Sequence, residues 1–141
     1  MIPEKEAEVR ENFGRQGLMR QIGAVMTSVK QGSCVIEVPY HEAVGQQHGF
    51  FHGGVIGAVA DTAGGYSAMS ALPLGADVLT LEYKVNFMRP AAGELLIAEA
   101  NVLKAGRSVV VTRVEIYVVK DGERSLCAAM QQSIMRMANP A

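Results

Sequence analysis

The sequence predicts an α+β chain in which one long buried helix is wrapped by a curved antiparallel sheet. Three observations carry that reading. In residues 107–120, Val110, Thr112, Val114, Ile116 and Val118 point one way while Arg113, Glu115 and Tyr117 point the other, which marks a strand with one buried face. Residues 54–71, GVIGAVADTAGGYSAMSA, lack that alternation, are rich in Ala and Gly and carry one formal charge. A helix apolar on nearly all sides is a buried helix. Finally, the strands are long: thirteen residues reach roughly 43 Å at about 3.3 Å per residue, so they must twist and curl around something.

Taken in order, residues 3–13 read as a short helix. Pro3 suits a first helical position, and Glu4, Glu6 and Glu8 suit the positive end of the helix dipole. Val9 and Phe13 lie four apart and can dock on the body, after which Gly14 and Gly17 interrupt; residues 1–20 thus form an N-terminal helical segment. Segments 22–30 and 33–40 flank Gln31-Gly32, a hairpin signal. Segments 76–88 and 94–104 flank Pro90-Ala91-Ala92-Gly93. Segments 107–120 and 124–136 flank Asp121-Gly122, the strongest short hairpin signal in the chain. Between the second and third strands, residues 54–71 supply a helix of about 18 residues, roughly 27 Å long. Its small residues permit close backbone approach at some cost in helix propensity.

The totals bound the function. The 141 residues are 49% hydrophobic and 19% charged, an ordinary globular composition expected to form a single domain over 1–141. The formal net charge of -1 argues against nucleic acid as a partner. No apolar run is long enough to cross a membrane, and the charged start, MIPEKEAEVR, lacks the apolar centre of a secretory signal. Cys34 and Cys127 fit no metal spacing and read as reduced, packed thiols of a cytoplasmic protein. Neither His48 nor His52 pairs with a second His or a Cys at ligand spacing, so neither metal nor cofactor is expected.

The stretch HGFFHGGVIGAVAD, residues 48–61, carries the chemistry. Asp61 is the only formal charge between Glu42 and Asp77, in mid-helix, where everything around it looks like core. A buried carboxylate is costly unless paired, and burial favours the protonated form, the tuning that a general base needs. A cap or an exposed edge is the plainer alternative. At the helix start, Gly53 and Gly54 follow His52. A first helical turn has free N–H groups, and glycine lets a polarised carbonyl or oxyanion come close to them. Gly53 and Asp61 are eight residues apart, about 12 Å along a helix, too far to share one reacting carbonyl. Unless the two are unrelated, the carboxylate comes from a second copy of the chain, giving a dimer with two composite sites.

GQQHGFFHGGVIGAVADTAGGYSA, with TLEYKVNFMRPA at 80–91, LKAGRS at 103–108 and the final strand CAAMQQSIMRM, resembles the hot-dog-fold acyl-CoA thioesterases of the phenylacetate-degradation (PaaI-type) group over roughly residues 20–137. The resemblance implies a hot-dog fold, a homodimer or a homotetramer built as a dimer of dimers, and an acyl-CoA substrate. It implies that the Gly53 amide polarises the thioester carbonyl, with Gly54 beside it. It also implies that Asp61 of the facing subunit activates water or attacks directly, and that Thr80 holds that water. The family often has Asn six residues before the HGG histidine; Gln46 stands there, with Gln47 a neighbouring candidate. His52 reads as a general acid, a pocket donor or a loop-fixing ring; His48 as structural or pocket-lining. Phe50 and Phe51 pack at the interface or line the acyl site. In the family, basic residues near such turns meet the phosphates of coenzyme A, which nominates Arg89, Lys104 and Arg107; solvated surface charge is the alternative for each. The expected reaction is hydrolysis of a small or medium, possibly aryl, acyl-CoA. The rivals are a hot-dog hydratase or dehydratase and a non-catalytic acyl-CoA-binding protein.

Overall fold

The computed structural model describes residues 1–137. Two N-terminal helices, α1 (Pro3–Gly14) and α2 (Gly17–Ile22), precede strands β1 (Val25–Lys30) and β2 (Ser33–Pro39). The long helix α3 (Gly53–Ser70) follows, and then β3 (Asp77–Phe87), β4 (Leu95–Ala105), β5 (Val109–Lys120) and β6 (Glu123–Met137). All six strands join one antiparallel sheet in the order β1-β2-β4-β5-β6-β3. Helix α3 packs into its concave face, against β1 to β6. This is the hot-dog fold.

Two sequence expectations need correction. Residues 17–22 are a helix, and the first strand begins only at Val25. Gly23, at φ 77°, stops α2: its N–H bonds the Arg20 carbonyl and the Ala24 N–H bonds that of Met19, a left-handed C-terminal stop that glycine makes cheaply. The segments on either side of Pro90-Gly93 also do not form a hairpin. Strand β4 pairs β2 and β5, whereas β3 crosses to the far edge to pair with β6. The other two turns are as expected. At Asp121-Gly122 both residues have positive φ, 52° and 80°, the tight hairpin form whose twist matches the strands.

The core forms where the inward rows of the sheet meet the helix. Ile36, Val38, Leu96, Ala98, Val114 and Ile116 are fully buried against Val59, Ala60 and Ala63 of α3. Each Val, Leu or Ile side chain among them contributes about 1.5–3 kcal/mol by leaving water. Small residues set how near the helix comes. A Cβ on Gly64 would stand 1.8 Å from Oε1 of Gln132 on β6, so any side chain there would displace that amide. Cys34 and Cys127 are free and buried; burial pushes their thiols up to about 12 and about 11. No described helix is long and apolar enough to cross a membrane.

The helix is not covered on every side. Ala58, Asp61, Thr62 and Gly65 are only half-buried and recur at spacings of three and four, a single stripe along one face. Asp61 therefore sits on the helix flank that its own sheet leaves open and not in the core proper. Beside that flank runs β3, an edge strand with exposed Leu79, Leu81, Tyr83 and Phe87. A bulge between Thr80 and Glu82 inserts Leu81 and resets the alternation. Thr80 then faces the helix before the bulge, as do Tyr83 and Phe87 after it.

Candidate active site

Of the residues singled out by the sequence, Gln46, Phe50, Phe51, Gly53 and Arg89 line one cavity and Asp61 and Thr80 line another. The first, of about 400 Å³, opens at the start of α3 and brings together Gln46, Phe51, Gly53 and Arg89 under the ring of Phe87. His52 is the N-cap. Its Nδ1 accepts the Gly54 N–H at 2.7 Å, and its carbonyl accepts the N–H groups of Val55 and Ile56, both at 3.0 Å. Among the described residues, only the Gly53 N–H of that first turn has no partner. The geometry thus separates the two glycines: the Gly54 N–H is spent on the cap, and that of Gly53 is open at the positive end of the helix. In this geometry the His52 ring caps the helix.

The loop before the helix is shaped by one side chain. Gln46 Oε1 accepts from the N–H groups of His48 (2.5 Å) and Phe50 (3.3 Å), and its backbone bonds Phe50 and Gly49 across a turn in which Gly49 has φ 80°. The carbonyl end of the amide staples the loop, and no described residue bonds its Nε2. Phe51 is buried and stacks edge-on against Tyr40 at 5.2 Å between centroids, so it forms part of the cavity floor. Gln47 and His48 are exposed and line neither cavity.

The second cavity, of about 190 Å³, holds Asp61 and Thr80. The Thr80 hydroxyl donates to Asp61 Oδ1 at 2.7 Å. The Gln132 Nε2 amide donates to the same oxygen at 2.5 Å, to the Asp61 carbonyl at 3.1 Å and to Thr80 Oγ1 at 3.1 Å. Helix α1 and the turn after it close the other wall. There Gln16 donates to the Tyr66 hydroxyl at 2.9 Å, which itself donates to Asn12 Oδ1 at 2.8 Å. Burial, chiefly, pushes Tyr66 up to about 12, so it remains a neutral donor. Lys104 and Arg107 sit exposed on the β4–β5 hairpin and line neither cavity; Arg89, also exposed, lines the first.

Sequence reasoning missed Gln132 and Thr112. Both were visible as exceptions to an apolar row. Thr112 breaks the inward series Val110, Val114, Ile116 and Val118, and Gln132 breaks the series Ala128, Met130 and Ile134; the two are register partners on β5 and β6. A polar side chain in a buried row must find a partner.

Residues 48–125 match the family model of the thioesterase superfamily. The chain belongs to that superfamily. It is similar to the crystal structure of a thioesterase family protein from Silicibacter pomeroyi, with a TM-score of 0.93 and 39% identity over 95% of this chain and 98% of that one. It is 31% identical to the 1,4-dihydroxy-2-naphthoyl-CoA hydrolase of Listeria monocytogenes over 79% of this chain and 89% of that protein. The PaaI protein of Escherichia coli, from a phenylacetic acid degradation operon, shares the fold, with a TM-score of 0.85 and 21% identity over 99% of this chain and 98% of that one.

Proposed function

We propose that this protein hydrolyses a small or medium acyl-CoA thioester in the manner of the PaaI-type group, in composite sites across a homodimer. The observation that carries the reading is the division of the chemistry between two cavities. One holds an open N–H at a helix start and no carboxylate of its own. The other holds Asp61, with one oxygen engaged and one free, and is also lined by Asp77, whose Oδ1 accepts the Val78 N–H. The two are separated by eight residues of one helix, about 12 Å, whereas attack needs contact near 3 Å. A second copy related by a two-fold axis supplies each cavity with what it lacks.

The edge strand supports this arrangement. Strand β3 has 11 residues, lies at the end of the sheet and exposes Leu79, Leu81, Tyr83 and Phe87. A long apolar edge is a template for pairing with another chain. Pairing β3 with its own copy brings the open stripe of α3 towards the partner's helix start.

In the proposed reaction the thioester carbonyl oxygen accepts the Gly53 N–H, which stabilises the negative charge that develops there. The partner's Asp61 takes a proton from water through its free oxygen as the water attacks the carbonyl carbon, or attacks that carbon itself to form a mixed anhydride. On either route the C–S bond breaks and the coenzyme A thiolate leaves and is protonated; when water attacks, the free acid forms directly, and when Asp61 attacks, a water then hydrolyses the anhydride, releasing the acid and restoring the carboxylate. Gln46 orients the ester through its free amide nitrogen, and Arg89 at the cavity mouth meets the phosphates of coenzyme A. Two packed thiols suit a reducing cytoplasm.

The test is a thiol-release assay across an acyl-CoA panel with wild type, Asp61→Ala and Asp61→Asn. Both variants are expected to lose at least about two orders of magnitude in turnover, as for a missing base, while still binding ligand. Near-normal turnover in either contradicts the proposal. A change in alkene absorbance with the thioester intact identifies a hydratase instead.

A further inference from the structure

The carboxylate cavity has a support that the proposed reaction does not use. Gln132 is fully buried behind Asp61 and lines neither of these two cavities. The Thr112 hydroxyl donates to its Oε1 at 2.8 Å, which points the amide nitrogen at Asp61. The reverse orientation would set an amide oxygen against a carboxylate and leave the Thr112 hydroxyl without its acceptor. Space for the amide exists because residue 64, one helical turn past Asp61, is a glycine: a Cβ there would also stand 3.0 Å from Thr112 Oγ1.

We infer that Gln132, locked by Thr112 and admitted by Gly64, is the positioning residue that selects which oxygen of Asp61 faces the thioester. Oδ1 accepts two donors, from Thr80 and Gln132, while no described residue donates to Oδ2. The two oxygens are therefore not equivalent. A carboxylate free to rotate about its χ2 torsion would present either oxygen in several orientations. Held at Oδ1 by donors from two strands, and with its own backbone carbonyl tied to the same amide, the group presents Oδ2 along one direction. Orientation of this kind is worth rate, because a displacement of about 1 Å at a reacting atom costs on the order of a hundredfold.

The inference rests on the Asp61 reading, and the experiment separates the two. Steady-state thiol release is measured for Gln132→Met, Thr112→Val, Thr112→Ser, the double variant Thr112→Val/Gln132→Met and Asp61→Asn, on one acyl-CoA that wild type hydrolyses, with thermal melts to score folding. Gln132→Met keeps the volume and removes the amide. Its kcat is expected to fall about tenfold with KM within about twofold, since orientation acts on the transition state. Thr112→Val is expected to lose about threefold, Thr112→Ser to recover most of that, and the double variant Thr112→Val/Gln132→Met to be no worse than Gln132→Met alone, as for residues acting as one unit. If Gln132→Met is poorly folded, the Val and Ser variants of Thr112 carry the test. Wild-type kcat in folded Gln132→Met, or equal losses in Thr112→Val and Thr112→Ser, overturns the inference while an inactive Asp61→Asn leaves the proposed function standing. An active Asp61→Asn overturns both.

Discussion

The start and the middle of helix α3 hold opposite halves of the proposed chemistry and are built in opposite ways. The start is made of backbone. Its working group is the Gly53 N–H, exposed by two glycines, aimed by the His52 cap and stapled from behind by Gln46, all within nine consecutive residues. The middle is made of side chains. Asp61 comes from α3, Thr80 from β3, Gln132 from β6 and Thr112 from β5, and α1 supplies Asn12 to the wall of the same cavity. Donor groups of a helix end come with the helix, whereas a carboxylate in a dry setting needs partners brought from elsewhere in the fold.

The contrast implies different responses to substitution at each end. The largest effect is expected from Gly53→Pro. Proline is tolerated at the first helical position, where its missing N–H costs the fold nothing, but here it deletes the one open donor. Turnover should fall by about two orders of magnitude, the range for losing an oxyanion donor, with folding retained. Gly53→Ala keeps the N–H and brings a Cβ to 3.3 Å from the exposed Phe87 ring, which can move aside; its loss should be several times smaller. Equal losses in the two variants, measured by thiol release, would mean that space and not the donor is what glycine provides.

A smaller effect is expected where α1 is pinned over the carboxylate cavity. Glu8 accepts from the Lys5 ammonium at 2.7 Å and from the Gly75 N–H at 2.8 Å. Burial alone would raise its pKa, but these donors outweigh it and hold the carboxyl below its ordinary 4.5. A lowered folded pKa adds stability that is full above the unfolded value and is lost as the pH falls through the folded one. Glu8→Gln should therefore melt lower than wild type at pH 7, by less than about 1 kcal/mol as for a partly exposed pair. The gap should close as the pH drops below 4.5. A gap that does not shrink as the pH falls would assign the effect to packing. The helix start, which has no such strap, should show no matching dependence on Glu8.

The same contrast explains what was legible in the sequence. His52-Gly53-Gly54 and Asp61 lie on one stretch of chain, so their spacing could be read directly. Thr80 was reached only through resemblance, by counting back from Met88-Arg89-Pro90. Gln132 and Thr112 are 71 and 51 residues from Asp61 in sequence; Gln132 meets Asp61, and Thr112 meets Gln132, only because β5, β6 and β3 are neighbours in the sheet. Periodicity fixes which face a strand buries, but not which strand lies beside it; for that reason the crossover of β3 to the far edge also escaped notice. Residues 1–20 read as helical, but the extent of α2 to Ile22 was missed, because six residues are too few for an apolar period to show. The half-buried stripe of α3 was hidden by its small residues, since Ala58 and Gly65 read as core in any context.

The central claim is that the two halves of one site come from two chains, and subunit complementation tests it most directly. Asp61→Asn and Gly53→Pro chains, each inactive alone, are co-expressed with different tags, and thiol release is measured on the purified mixed species. A mixed dimer has one site carrying both lesions and one carrying neither, so it should recover about half of wild-type turnover, and an unsorted equal mixture about a quarter. A mixed dimer as inactive as its parents would contradict the account, because it would place Gly53 and Asp61 at one reacting carbonyl within a single chain.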